Sequence, residues 1–113
     1  MKVINVFDRY YRGKCTYNGV ERKGVRVLLI ATSEEGMIRY EAAVSFFPHR
    51  DEEDFAVSCD AYASEELYHA KGRRSKKREE GLLQELPCHA DTLAASLGGT
   101  IAWDAPLGEA RLG

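Results

Sequence analysis

Apolar residues recur at every second position of residues 25–31 and 38–46 and predict two neighbouring strands, the first with Leu28 and Ile30 on its other face, as is typical of a central strand. One face of the first strand carries Val25, Val27, Leu29 and Ala31. The matching face of the second carries Ile38, Tyr40, Ala42, Val44 and Phe46. The pair Asn18-Gly19 predicts a hairpin turn ahead of them, because both residues accept a positive φ angle. The stretch "FAVSCDA", with Phe55, Val57, Cys59 and Ala61 on one face, predicts a fourth strand.

The apolar period changes from two to a helical repeat after residue 61. Ser64 followed by two glutamates is typical of a helix start, and Gly72 predicts its end. A second helix is predicted from Ser75 to Gly98-Gly99, with one stripe formed by Leu82, Leu86, Leu93 and Leu97. A proline inside a helix costs about 3 kcal/mol, so we expect a kink or restart at Pro87. "TIAW" predicts a short edge strand, followed by a loose tail.

These elements predict an α+β fold, an antiparallel meander of about four strands packed against C-terminal helices. The 113 residues fit one domain, residues 1–113. The longest apolar run, residues 27–31, is too short to cross a bilayer, and the N-terminus lacks the apolar stretch of a signal peptide. Three cysteines without a CxxC spacing favour a reducing compartment. The sequence therefore predicts a cytoplasmic protein with no membrane partner.

Two cysteines and two histidines form a set that is chemically suited to zinc: Cys59, His69, Cys88 and His89. No CxxC or HxxxH spacing supports this set. A structural zinc ion is nevertheless the one cofactor that the sequence suggests. The alternative is that Cys59 and Cys88 are small core residues and that His89 is a half-buried helix residue. In a regular helix Cys88 and His89 point apart, which argues against a cysteine nucleophile activated by that histidine.

The segment "KGRRSKKREE" is strongly basic and predicts contact with phosphates. Its cations are Lys71, Arg73, Arg74, Lys76, Lys77 and Arg78. Nearby tyrosines could add base stacking if they shared its face. The alternative is a solvated helix start, because Glu79 and Glu80 can pair with the cations at helical spacing.

A second charged segment is acidic and contains Asp51, Glu52, Glu53 and Asp54. It lacks the alternating acids and central glycine of a calcium loop. It is either a solvated loop or a surface that presents negative charge to a basic groove of a partner protein. The chain contains no glycine-rich phosphate loop, GxSxG or HExxH motif, so the sequence predicts a protein without enzymatic activity.

The C-terminal third, "GRRSKKREEGLLQELPCHADTLAASLGGTIAWDAPLG", resembles the ends of small proteins carried by mobile elements of gut bacteria. A compact chain of this size without a catalytic motif also resembles the anti-CRISPR proteins, in particular inhibitors of type II RNA-guided Cas nucleases. The resemblance implies a non-enzymatic inhibitor that binds a larger protein and blocks nucleic-acid loading or cleavage. The alternative is a small accessory protein that binds nucleic acid through residues 71–78.

Overall fold

A computed structural model describes residues 1–47 and 61–109 of the chain, with side chains as far as residue 103. Five strands and one helix occur in these ranges. In chain order they are β1 (Lys2–Tyr17), β2 (Val20–Glu34), β3 (Met37–Phe47), β4 (Ala61–Lys71), α1 (Lys76–Ser96) and β5 (Gly99–Glu109). The sequence predicted the α+β class correctly, but it predicted one strand too few and more than one helix.

Two tight turns connect the first three strands. Asn18 and Gly19 have φ angles of 52° and 76°, as the predicted hairpin between β1 and β2 requires. Glu35 and Gly36 have φ angles of 50° and 75° in the turn between β2 and β3. A positive φ is accessible to glycine without steric cost, so these short loops fix the antiparallel register of the long strands.

The five strands form one antiparallel sheet in the order β4-β3-β2-β1-β5, curled into a half-barrel. The first four follow one another as a meander, and α1 then crosses the sheet so that β5 pairs with β1 at the opposite edge. The predicted edge strand at "TIAW" is confirmed, and it continues to Glu109 through much of the stretch expected to be a tail.

The core lies between α1 and one face of the sheet, which we call the helix face. Val27 pairs with Val44 and Leu29 pairs with Ala42, and all four are fully buried. The alternation predicted for residues 25–46 is therefore confirmed. The helix contributes Leu86, Ala90, Leu93 and Ala94 to the same apolar cluster.

The predicted helix beginning at Ser64 is wrong, because residues 61–71 form β4. Ala63 pairs with Val44 and Tyr68 with Tyr40, so apolar residues of β4 do face the core. Leu67 is an extra residue at a register shift between these pairs. A bulge of this kind moves the following residues by one position and hides the period of two from sequence analysis. The rest of the predicted strand 55–61 precedes Ala61 and lies outside the described residues.

The helix does not restart at Pro87, because α1 contains this proline and is continuous to Ser96. Pro87 is exposed. On this side of the helix, water can satisfy the carbonyl that loses its backbone donor. The helix begins after Ser75, as predicted, and the Ser75 hydroxyl caps it by accepting a hydrogen bond from the Arg78 amide at 3.3 Å. It ends at Ser96 and is followed by Gly98, whose φ angle is 77°.

Candidate functional site

The basic segment forms the connection between β4 and α1 at one end of the sheet. Lys71 is the last residue of β4, and the Gly72 amide donates a hydrogen bond of 2.8 Å to the Gly36 carbonyl in the β2–β3 turn. Ser75 caps the helix three residues later. Both ends of the connection are therefore fixed, and its cations project from an ordered scaffold.

Arg74 and Glu79 attach this connection to the core. The Arg74 guanidinium donates two hydrogen bonds of 2.8 Å to the Glu79 carboxylate, one to each oxygen. The Tyr40 hydroxyl donates a third bond of 2.7 Å to the same carboxylate and accepts one from the Ser75 amide at 3.2 Å. The bonds from Arg74 hold the pKa of Glu79 below its ordinary value, although burial acts in the opposite direction. This network has a structural role, so Arg74 is engaged on the protein itself.

Arg78 is also engaged, because its guanidinium lies over the Tyr68 ring, 3.8 Å from the ring centroid. This distance is typical of a stacked cation–π contact. The contact joins the first turn of α1 to β4. It also covers a face of the Tyr68 ring, which could otherwise stack on a nucleobase bound next to the basic segment.

Four exposed cations of the segment remain, and we call them the basic surface: Lys71, Arg73, Lys76 and Lys77. No carboxylate among residues 1–47 and 61–103 forms an ion pair with any of them. Lys76 and Lys77 lie in the first turn of α1, where the helix dipole favours anions and the first amides lack helical acceptors. Apart from Glu79, which Arg74 neutralises, the nearest carboxylates in sequence and register are Glu80 and the turn residues Glu34 and Glu35.

The four residues predicted to bind zinc are not brought together where they are described. His69 pairs with Arg39 on the face of β4 that points away from α1, and its Nδ1 atom lies 3.9 Å from Glu66. His89 is on the helix, and its Nδ1 atom lies 3.6 Å from Glu65 on the opposite face of β4. Within the described ranges no cluster of three or more metal-binding side chains occurs. Cys59 lies outside them.

Two of the three cysteines lie in the described residues, and one of them is buried while the other is exposed. Cys88 is exposed on α1, so the prediction that it is a small core residue is wrong. The buried thiol is Cys15, which donates a hydrogen bond to the Leu97 carbonyl at 3.3 Å. His89 is half-buried, as the alternative to the zinc site predicted, with 32% of its side chain exposed.

The acidic segment from Asp51 to Asp54, predicted as a surface for a protein partner, also lies outside the described residues. That prediction is therefore supported by the sequence alone. Glu34 and Glu35, which could contribute to the same acidic character, are exposed at the β2–β3 turn.

A groove of about 760 Å³ lies at the opposite end of the sheet from the basic surface. Its exposed margin includes Arg12, Lys14 and Lys23, and its buried part includes the Phe47 ring. Gly24 is required beneath this ring, since a Cβ atom there would lie 2.4 Å from a Phe47 ring carbon. Sequence analysis did not identify the groove, although cations at positions 12 and 14 of a strand already share one face by the period of two.

Comparisons with known proteins returned no relative: no family model matches the chain, and neither does a curated protein or a solved structure. The only helix of the described ranges, α1, is not apolar enough to span a membrane.

Proposed function

We propose that the protein binds nucleic acid through the phosphate backbone, using the basic surface. The observation that carries this proposal is the set of four exposed cations at one end of the sheet, which have no carboxylate partner in the described part of the chain. Free cations of this kind bind phosphates and release the counterions condensed on the nucleic acid. The neighbouring network uses Arg74 to neutralise Glu79, which removes the nearest buried carboxylate as a competitor.

The same geometry supports binding without base recognition. The ring of Tyr68 is covered by Arg78, and the exposed Tyr62 lies at the far end of β4. Base-specific recognition of single strands depends on exposed aromatic rings and on polar groups that reach base edges. We therefore expect similar affinity for duplexes of unrelated sequence.

The test is the fluorescence anisotropy of a labelled 20-base-pair duplex at low salt. The triple variant Arg73→Glu, Lys76→Glu, Lys77→Glu should bind at least tenfold more weakly than the wild type. The matched control, Arg12→Glu, Lys14→Glu, Lys23→Glu, changes the net charge equally at the other end of the sheet and should retain binding. Equal losses in both variants, or no binding by the wild type, would overturn the proposal.

The second candidate function is the one that the anti-CRISPR resemblance implies, a non-enzymatic inhibitor of a type II Cas nuclease. A protein partner is favoured by the outer edge of β4, with which no described strand pairs. An unpaired edge offers backbone donors and acceptors to a strand of a partner. Tyr62, whose surface is 55% exposed, adds an apolar contact on this strand.

This second candidate is tested by size-exclusion chromatography with a purified type II Cas nuclease, with and without guide RNA. Inhibition at the β4 edge predicts a shifted complex that is weakened by Tyr62→Asp and unaffected by the basic-surface variant. If no shift occurs with nucleases from several species, the inhibitor hypothesis is rejected and nucleic-acid binding remains.

A further inference from the structure

The groove at the β1–β2 end of the sheet has a positively charged margin. Arg12 and Lys14 are exposed, and neither forms an ion pair with a carboxylate of residues 1–47 or 61–103. Lys23 lies 3.9 Å from Glu21, but their side chains are 79% and 70% exposed. Exposed ion pairs of this kind contribute little to stability, so Lys23 can exchange Glu21 for another anion. The margin thus holds three cations and one carboxylate.

The inner part of the groove is apolar. The Phe47 ring is buried against Gly24, with 1% of its surface exposed, and it forms a T-shaped contact with the Tyr10 ring at a centroid distance of 5.6 Å. Ile101 and Ala102 of β5 complete this part of the surface. A ligand seated here would meet apolar atoms below and cations at the margin.

The dimensions of the groove favour a small molecule over a polymer. Its volume of about 760 Å³ falls in the range of about 300–1,000 Å³ that is usual for small-molecule sites. Residues 24 and 34 of β2 mark the two ends of the sheet, and ten residues of strand span about 33 Å. The groove and the basic surface are therefore separate sites.

We propose that this groove binds a small amphipathic anion, an apolar body that carries one carboxylate, sulfonate or phosphate group. The apolar body packs on Ala102, which pairs with Arg12 on the same face of the sheet, and on the aliphatic stems of the marginal cations, which removes its surface from water. The acidic group lies at the margin, where the planar guanidinium of Arg12 can donate two parallel hydrogen bonds and Lys14 adds a point charge. This site is independent of the nucleic-acid proposal, because it uses none of the same residues.

The test compares two fluorescent probes with closely similar aromatic bodies. 8-Anilinonaphthalene-1-sulfonate carries the anion, and N-phenyl-1-naphthylamine lacks it. We expect the sulfonate to bind the folded protein at least tenfold more tightly than the neutral probe. The double variant Arg12→Gln, Lys14→Gln should reduce sulfonate binding by at least tenfold and leave the neutral probe unchanged. The matched control Lys76→Gln, Lys77→Gln should change neither affinity.

A second variant tests the position of the site without altering its charge. Thr100 is exposed on β5 and lines the groove, so Thr100→Trp fills the space with an indole ring and should abolish binding of both probes. Circular dichroism and a cooperative urea transition establish that each variant is folded. Equal affinity of the wild type for the two probes would overturn the proposal, and so would undiminished sulfonate binding by the glutamine variant. Displacement of the sulfonate by the 20-base-pair duplex would also overturn it, since the groove would then belong to a nucleic-acid surface.

Discussion

Tyr40 and Glu79 are 39 positions apart in the chain and share a buried hydrogen bond of 2.7 Å. Tyr40 is fully buried in β3, and Glu79 lies in the first turn of α1 with 7% of its surface exposed. Together with Arg74, this bond fixes the start of the helix against the sheet. The position of the basic surface follows from it, because Lys76 and Lys77 lie in the same first turn.

The Glu79 network predicts a pH-dependent stability. Its folded-state pKa is lowered, chiefly by the hydrogen bonds from Arg74, so the ionised form stabilises the fold. This contribution is complete above the ordinary glutamate pKa of about 4.3 and is lost as the pH falls through the lower folded-state pKa. Glu79→Gln should therefore reduce the free energy of unfolding at pH 7 by about 1.5–3 kcal/mol, measured by urea denaturation.

The difference between wild type and Glu79→Gln should shrink as the pH is lowered from 6 to 2. Glu80→Gln is the matched control, since Glu80 is the exposed neighbour in the same helix and should change stability little at any pH. A Glu79→Gln deficit that is constant over this pH range would contradict the assigned role of the carboxylate.

Pro87 gives a second prediction, which concerns the helix. Because the proline lacks an amide hydrogen and lies inside an unbroken α1 at an exposed position, Pro87→Ala restores a backbone hydrogen bond. We expect the free energy of unfolding to rise by about 1–3 kcal/mol. Glu85→Ala, at another exposed position of the same helix, should alter it by less than about 0.5 kcal/mol. Loss of stability in Pro87→Ala would show that the proline is needed for packing.

The thiols should react at very different rates. Burial raises the pKa of Cys15, against the opposing effect of Arg22, so its reactive thiolate is scarce as well as inaccessible. In a Cys59→Ser background, one equivalent of thiol should react quickly with 5,5′-dithiobis(2-nitrobenzoate). This fast phase should disappear in Cys88→Ser and persist in Cys15→Ser. A fast phase that depends on Cys15 would contradict its burial.

Local sequence pattern predicted the parts of the fold that local physics determines. The Asn18-Gly19 turn and the helix start at Ser75 need particular residues at particular positions, and both occur as predicted. The alternation in β2 and β3 persists because one side of each strand is buried throughout. The misassignment of β4 has a physical reason too, since the bulge at Leu67 interrupts its alternation and the pairing with β3 overrides a local helix signal.

The sequence predicted the basic segment as a candidate site, but it did not predict which of its cations remain exposed. The basic segment was evident from its charge, and Glu79 was predicted as a partner for its cations. The sequence did not indicate that Arg74 would be that partner or that Arg78 would stack on Tyr68, because both choices depend on how α1 packs on the sheet. The groove was not predicted, because it combines residues of β1, β2, β3 and β5. Contacts over such sequence distances leave no local pattern.

The salt dependence of duplex binding reports how many phosphates the basic surface neutralises. The logarithm of the affinity should fall linearly with the logarithm of the salt concentration, with a slope near −0.9 for each phosphate neutralised, or about −3 to −4 for the four cations of the basic surface. Lys77→Gln should reduce the magnitude of this slope by about 0.9. It should also lower the affinity for duplexes of unrelated sequence by the same factor. Lys14→Gln should leave the slope unchanged. An unaltered slope in Lys77→Gln, or a slope near zero in the wild type, would contradict phosphate binding at this surface.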